Sequence, residues 1–194
     1  MTSVLISRLI KNHASLYFYD ECTFNMGDFQ KKYWRSPADN AVLHLRNPTL
    51  RLKLNVILSE SRLIAFELSL ASHKQRDVEE FVMRVMHGVS AERDSETRKY
   101  LVMDNNPKNR SARLLNFVKK SNFGVIFITP GSPEHNMAEN FFLALKRTYL
   151  KLANLKRINH SEDSQTEAIK VVFEALKLVD SEKFSSIRKS TITI

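Results

Sequence analysis

The sequence predicts an α/β fold on a mixed sheet, and three observations predict it. Short apolar runs of strand length are interspersed with stretches whose apolar residues recur at spacings of three and four. The early runs lie close enough for hairpin pairing, whereas the later ones are separated by helix-length segments that suit parallel crossovers. Two of the runs, far apart in the chain, stop on an aspartate.

Taken in order, Leu16-Tyr17-Phe18-Tyr19 is an apolar and aromatic run that reads as a buried strand ending at Asp20-Glu21. Lys32-Tyr33-Trp34-Arg35 is a candidate second strand, closed by Ser36-Pro37. Leu50 to Leu58 alternates apolar and polar residues, the pattern of a half-buried strand. With Leu63 to Leu68 after Ser59-Glu60-Ser61-Arg62 it forms a hairpin, so three antiparallel strands run from the N-terminus. Val78, Phe81, Val82, Val85 and Met86 mark an amphipathic helix expected to end near Gly88, followed by a charged surface segment to Lys99. Tyr100-Leu101-Val102-Met103 is a strand ending at Asp104 and broken by Asn105-Asn106-Pro107. Leu114, Leu115, Phe117 and Val118 read as a helix, and Val125-Ile126-Phe127-Ile128 as a strand. The turn Thr129 to Pro133 leads into a long helix from about Asn136. Ser164-Gln165-Thr166-Glu167 is a capping box that opens a last amphipathic helix, and the polar residues after Lys183 are expected to be loose.

A chain of 194 residues fits one domain, or one domain over 1–160 with a C-terminal helix and tail over 161–194. The 43% hydrophobic content suffices for a sizeable core, and four glycines and five prolines argue against a linker-rich chain. The formal charge of +9 favours a polyanionic partner, nucleic acid ahead of an acidic membrane surface. The lone Cys22 excludes an intramolecular disulfide, and the six scattered histidines lack the paired spacing of a zinc site. No apolar run approaches the roughly 18 residues needed to span a bilayer, and no signal-peptide pattern stands at the start. The reading is an intracellular protein with no membrane partner.

Strand ends are where a rigid sheet presents side chains at its open edge. Asp20 and Asp104, on adjacent strands, would lie close together, and Glu139, at the start of the long helix, would complete a three-carboxylate cluster. Carboxylates so close repel one another, and divalent cations relieve the conflict; oxygen ligands suit Mg²⁺ or Mn²⁺. Two such ions can activate an attacking oxygen and stabilise a leaving oxygen in phosphodiester chemistry. Asp20 is expected to bridge both ions, Asp104 to bind one and Glu139 the other. Taken singly, an aspartate after a strand is more commonly a turn former or helix cap than a catalytic acid; it is the joint placement that points to chemistry.

The spacing adds a further pattern: 34 residues separate Asp104 from Glu139 (139 − 104 − 1 = 34). Around them stand Leu101-Val102-Met103-Asp104-Asn105-Asn106-Pro107 and Ser132-Pro133-Glu134-His135-Asn136-Met137-Ala138-Glu139, with Leu145-Lys146 downstream. This text resembles the catalytic core of the Tc/mariner superfamily of DDE transposases, whose signature is a strand ending in Asp-Asn, a later Ser-Pro-Glu-x-Asn-x-x-Glu and a Leu-Lys pair. Tyr19-Asp20-Glu21-Cys22-Thr23-Phe24, with Trp34 beyond it, resembles the family's first-aspartate segment. The resemblance covers about Leu16 to Thr148. It implies a ribonuclease-H-like fold, a metal-dependent DNA transposase and endonuclease using two Mg²⁺ or Mn²⁺ ions, and DNA partners comprising transposon ends and target. It also implies a homodimer in the active complex and a nuclear location if the source is eukaryotic, cytoplasmic otherwise. Two departures stand out. Asn109 replaces the histidine usual after Asp-Asn-x-Pro-x, a change expected to weaken local positioning. The N-terminal helix-turn-helix modules that recognise element ends have no room before Asp20, so end recognition is expected to be missing.

Glu139, Phe142, Leu143 and Lys146 share one helix face, so Lys146 is a candidate for a scissile-strand phosphate, with Arg147, Lys151, Lys156 and Arg157 behind it. Lys108, Arg110 and Arg113 follow Asp104 and are further DNA candidates, although solvated basic helix ends look the same in sequence. Asn105, Asn136 and His135 are supporting candidates, Asn136 as the cap of the Glu139 helix. Three other readings compete: an inactive or domesticated remnant that binds DNA, a ribonuclease-H-like nuclease on RNA–DNA hybrids, and a basic interaction module without an active site.

Overall fold

The computed structural model describes residues 2–25, 51–70, 74–91, 97–121, 123–129, 131, 136–155, 164–180 and 184. The candidate strand Lys32–Arg35, with Trp34, lies outside them, as do Lys156, Arg157 and His135. The elements are α1 (Thr2–Lys11), β1 (Ser15–Asn25), β2 (Arg51–Ser59), β3 (Leu63–Ser69), α2 (Gln75–Ala91), β4 (Lys99–Asp104), a 3-10 turn (Pro107–Arg110), α3 (Ala112–Lys120), β5 (Gly124–Ile128), α4 (Met137–Leu155) and α5 (Ser164–Leu178).

The five strands form one sheet in the order β3-β2-β1-β4-β5. The β1–β2 and β2–β3 pairs are antiparallel, while β1–β4 and β4–β5 are parallel, so β1 is the seam between a hairpin side and a crossover side. Alternation along each strand sorts side chains to two faces. Leu16, Phe18, Phe24, Leu54, Val56 and Val102 pack with α4 and α5 on one face. Tyr17, Tyr19, Ile57, Leu101 and Met103 pack with α2 and α3 on the other. The mixed sheet flanked by helices is the architecture read from the sequence.

Three local expectations are corrected, and one helix is added. Strand β1 does not end at Asp20-Glu21 but runs on to Asn25, paired with β2 as far as Arg51. The two consecutive acids mimic a strand end, yet each points to a different face, and Phe24 resumes the buried alternation at 1% exposure. Helix α2 passes through Gly88 to Ala91. A glycine inside a helix costs about 1 kcal/mol relative to alanine, and burial of the adjacent Val89 offsets it. Helix α1 was not foreseen; Ile6, Leu9 and Ile10, spaced at three and four, seat it on the α4–α5 side of the sheet. Phe184, in the segment expected to be loose, is 4% exposed and packs against Phe141 at 6.3 Å between ring centroids.

Helix α5 opens at Ser164, where the capping box stands. It adds Ala168, Val171, Val172, Ala175 and Leu176, with Val179 just beyond its end, to the same core as α4 and the sheet. Each large apolar side chain so buried contributes about 1.5–3 kcal/mol. Together these layers hold α4 across the face of β1, which sets what stands over the catalytic candidates.

Candidate active site

The parallel β1–β4 register pairs Ser15 with Lys99 and Phe18 with Val102. Two residues beyond that last pair lie Asp20 and Asp104, on neighbouring strands about 4.8 Å apart and on the same face as Phe18 and Val102. Strand β4 ends at Asp104 as expected, because Asn106 caps the turn that Pro107 opens. Asp20 reaches the same level from within a strand rather than from its end.

Both carboxylates are half-buried and held by neutral donors. Asp20 Oδ1 accepts from the Glu21 backbone N–H at 2.7 Å, and Asp20 Oδ2 accepts from Asn136 Nδ2 at 2.8 Å. The Asp104 carboxylate and its backbone carbonyl both accept from Asn109 Nδ2. Asn109 was expected to weaken positioning where the related transposases carry a histidine; it is instead buried and directed onto Asp104. The reason is the 3-10 turn, which folds the chain back within five residues. No sequence pattern assigned Asn109 this bond, because only the turn geometry brings it about.

Burial pushes the Asp20 carboxyl up to about 7; the negative charges of Glu139 and Asp104 push it the same way, against the Glu21 N–H. Asp104 is raised from the ordinary carboxylate range by burial, with the Asn106 backbone N–H, Asn109 and Lys108 opposing. Glu139 sits in the first turn of α4, its N–H bonded to the Asn136 carbonyl at 3.1 Å, and its side chain is exposed. Asp20 and Asp104 thus share one end of one sheet face, and Asp20 feels the charges of Glu139 and Asp104. Among the described residues, no three His, Cys, Asp or Glu side chains are gathered tightly enough to hold one metal ion.

The basic candidates divide between the faces. Lys146 stands on the acid-bearing face, with Nζ 6.0 Å from the centre of the Phe24 ring and its charge acting on the Cys22 thiol. Arg147 and Lys151 are exposed on the same helix. Lys108 lies 3.6 Å from Glu21 Oε1. Arg110 stacks over Phe127 at 5.1 Å, and Arg113 pairs with Glu79 at 3.5 Å, both on the α2–α3 side. Asn105 follows Asp104, its Oδ1 buried without a partner. Of the turn before α4, Gly131 has φ +80, a left-handed conformation that suits glycine.

The fold is similar to that of several solved transposase structures. The Mos1 transposase catalytic domain with raltegravir and Mg superposes with a TM-score of 0.66 at 15% identity, covering 98% of this chain and 86% of that one. The Mos1 mariner paired end complex with Mn gives 0.70 at 16% identity, covering 99% of this chain and 57% of that one. The Mos1 strand transfer complex gives 0.57 at 14% identity, covering 99% and 59%. The chain therefore spans less than two thirds of the transposase in those two complexes, and the likeness shows a ribonuclease-H-like fold. No curated protein matches the sequence. The family model described as DDE superfamily endonuclease matches residues 15–160, three quarters of the chain and all three acids, so this chain is a member of the DDE superfamily endonuclease family.

Proposed function

We propose that the chain is the catalytic domain of a cut-and-paste DNA transposase that cleaves and joins phosphodiester bonds with Asp20, Asp104 and Glu139. The observation that carries the reading is the placement of Asp20 and Asp104 at one level of one sheet face, under the helix turn that bears Glu139. Family membership and the superposition on Mos1 support it.

The donor set fits divalent cations. It is all oxygen, and burial together with mutual repulsion makes Asp20 hold its proton to about 7, a cost that bound cations would remove. Asp20, Asp104 and the exposed Glu139 would hold Mg²⁺ or Mn²⁺. What a pair of such ions supplies when bound is activation of the attacking oxygen and stabilisation of the leaving one. The chain's own residues do the rest. Asn136 and Asn109 hold the aspartates in fixed orientation, and Lys146, on the same face, draws the scissile-strand phosphate toward them. Transposon ends and target are the DNA partners in this reading. A homodimer follows from the need to bring two ends together.

The test is Mn²⁺-dependent nicking of supercoiled plasmid by the purified chain, with Asp104→Asn as control. The expected result is nicking by the wild type and at least a ~10³-fold loss in the variant. Equal nicking by both removes Asp104 from the chemistry; DNA binding without nicking or Mn²⁺ binding marks an inactive remnant.

A further inference from the structure

Asn136 is 3% exposed, and both polar atoms of its side chain and its carbonyl are engaged. Its Oδ1 accepts from the Ala138 N–H at 3.1 Å, which caps α4. Its Nδ2 donates to Asp20 Oδ2 at 2.8 Å, across 116 residues of sequence. Its carbonyl accepts from the Glu139 N–H at 3.1 Å. The cap fixes the amide: with Oδ1 committed to the helix N–H, the NH₂ end is the one that faces β1. Asp20 Oδ1 is already held by its own strand through the Glu21 N–H. One carboxylate oxygen is therefore anchored from the sheet and the other from α4.

Capping alone does not require asparagine, since serine, threonine or aspartate serve the same N–H. What asparagine adds is a neutral donor beyond the cap, long enough to reach the next layer. We propose that Asn136 is a positioning residue that couples Asp20 to Glu139, setting the separation between the sheet acid and the helix acid. As a donor only at that end, it holds the carboxylate without itself entering the ligand set. This rests on the metal-dependent reading given above.

The experiment separates the cap from the reach. In the full chain, Asn136→Ser and Asn136→Thr retain a capping oxygen but fall short of Asp20, whereas Asn136→Ala loses both. Three quantities are read: metal-free melting temperature, Mn²⁺ affinity by titration calorimetry, and kcat for plasmid nicking at saturating Mn²⁺. The expected pattern is a metal-free melting temperature within ~4 °C of wild type for Ser and Thr, with Mn²⁺ affinity reduced ~10–100-fold and kcat lowered. Wild-type affinity in both variants overturns the coupling role and leaves the enzyme assignment standing. Melting losses as large as that of Asn136→Ala in both variants would mean that the capping oxygen does not rescue the fold and that the residue serves overall stability, which overturns the positioning role equally. Absence of Mn²⁺ binding by the wild type removes the underlying reading instead.

Discussion

At the scale of single residues, the site depends on how its two aspartates are restrained. A half-buried carboxylate near other carboxylates tends to protonate or rotate away, and neutral donors oppose both. Asn109 does this for Asp104 from five residues downstream, with its amide on the carboxylate and on the backbone carbonyl at 3.3 Å for the latter. The histidine usual in related transposases also carries a ring N–H, so the substitution keeps a donor at that position. Asn109→Ala is therefore expected to lower Mn²⁺-dependent nicking ~10–100-fold, while Asn109→His retains most of it. Plasmid nicking rates for the two variants decide the matter. An alanine variant as fast as wild type would show that Asp104 needs no partner there.

At the scale of elements, α4 carries most of the functional content. Its first turn bears Glu139 and follows Asn136, and two turns on Lys146 projects over Phe24 on the same face. That arrangement was legible in sequence from the i, i+3, i+4, i+7 pattern and the Leu145-Lys146 pair, as was Asp104 from the strand that stops before Pro107. Sequence was less informative where a local signal is cancelled by the layer it packs on. Asp20-Glu21 looks like the end of a strand because period-two burial fails for two residues, and only pairing with β2 shows the strand continuing. Gly88 looks like a helix stop, yet Val89 has a place in the core. Arg110 and Arg113 look like phosphate ligands until the turn sends them to Phe127 and Glu79 on the opposite face. The sorting gives a prediction: Lys146→Ala weakens DNA binding and reduces the slope of log affinity against log salt by ~1, whereas Arg113→Ala leaves that slope unchanged. Fluorescence anisotropy over a salt series measures both, and equal slopes for all three proteins would place the DNA elsewhere.

At the scale of the whole molecule, the sheet divides the chain's chemistry between its faces. Tyr19 and the apolar residues facing α2 and α3 back the sheet, while the other face brings Asp20 and Asp104 under α4. The cost of that placement is electrostatic. Asp20 is raised from the model-peptide 3.8 to about 7 by burial and by Glu139 and Asp104. A carboxyl raised in the folded state stabilises the fold while protonated, fully below pH ~4, and that contribution is lost as pH climbs through 7. At pH 8 without metal, the wild type therefore carries an ionised, crowded carboxylate at a cost of up to about 4 kcal/mol. Asp20→Asn removes the charge and keeps one acceptor, for Asn136, while losing the bond from the Glu21 N–H. The gain is therefore smaller than the full electrostatic cost, but its metal-free melting temperature at pH 8 should still exceed that of the wild type. The gap should narrow at pH 5.5, where wild-type Asp20 is protonated in the folded state. Mn²⁺ at pH 8 should raise the melting temperature of the wild type and not of the variant, since only the wild type binds the ion in preference to the unfolded chain. Calorimetric scans at the two pH values, with EDTA or Mn²⁺, measure all four conditions. A variant that melts no higher than wild type at pH 8 would mean that Asp20 is not strained by its surroundings, and the case for a cation-relieved acid cluster would lose its physical basis.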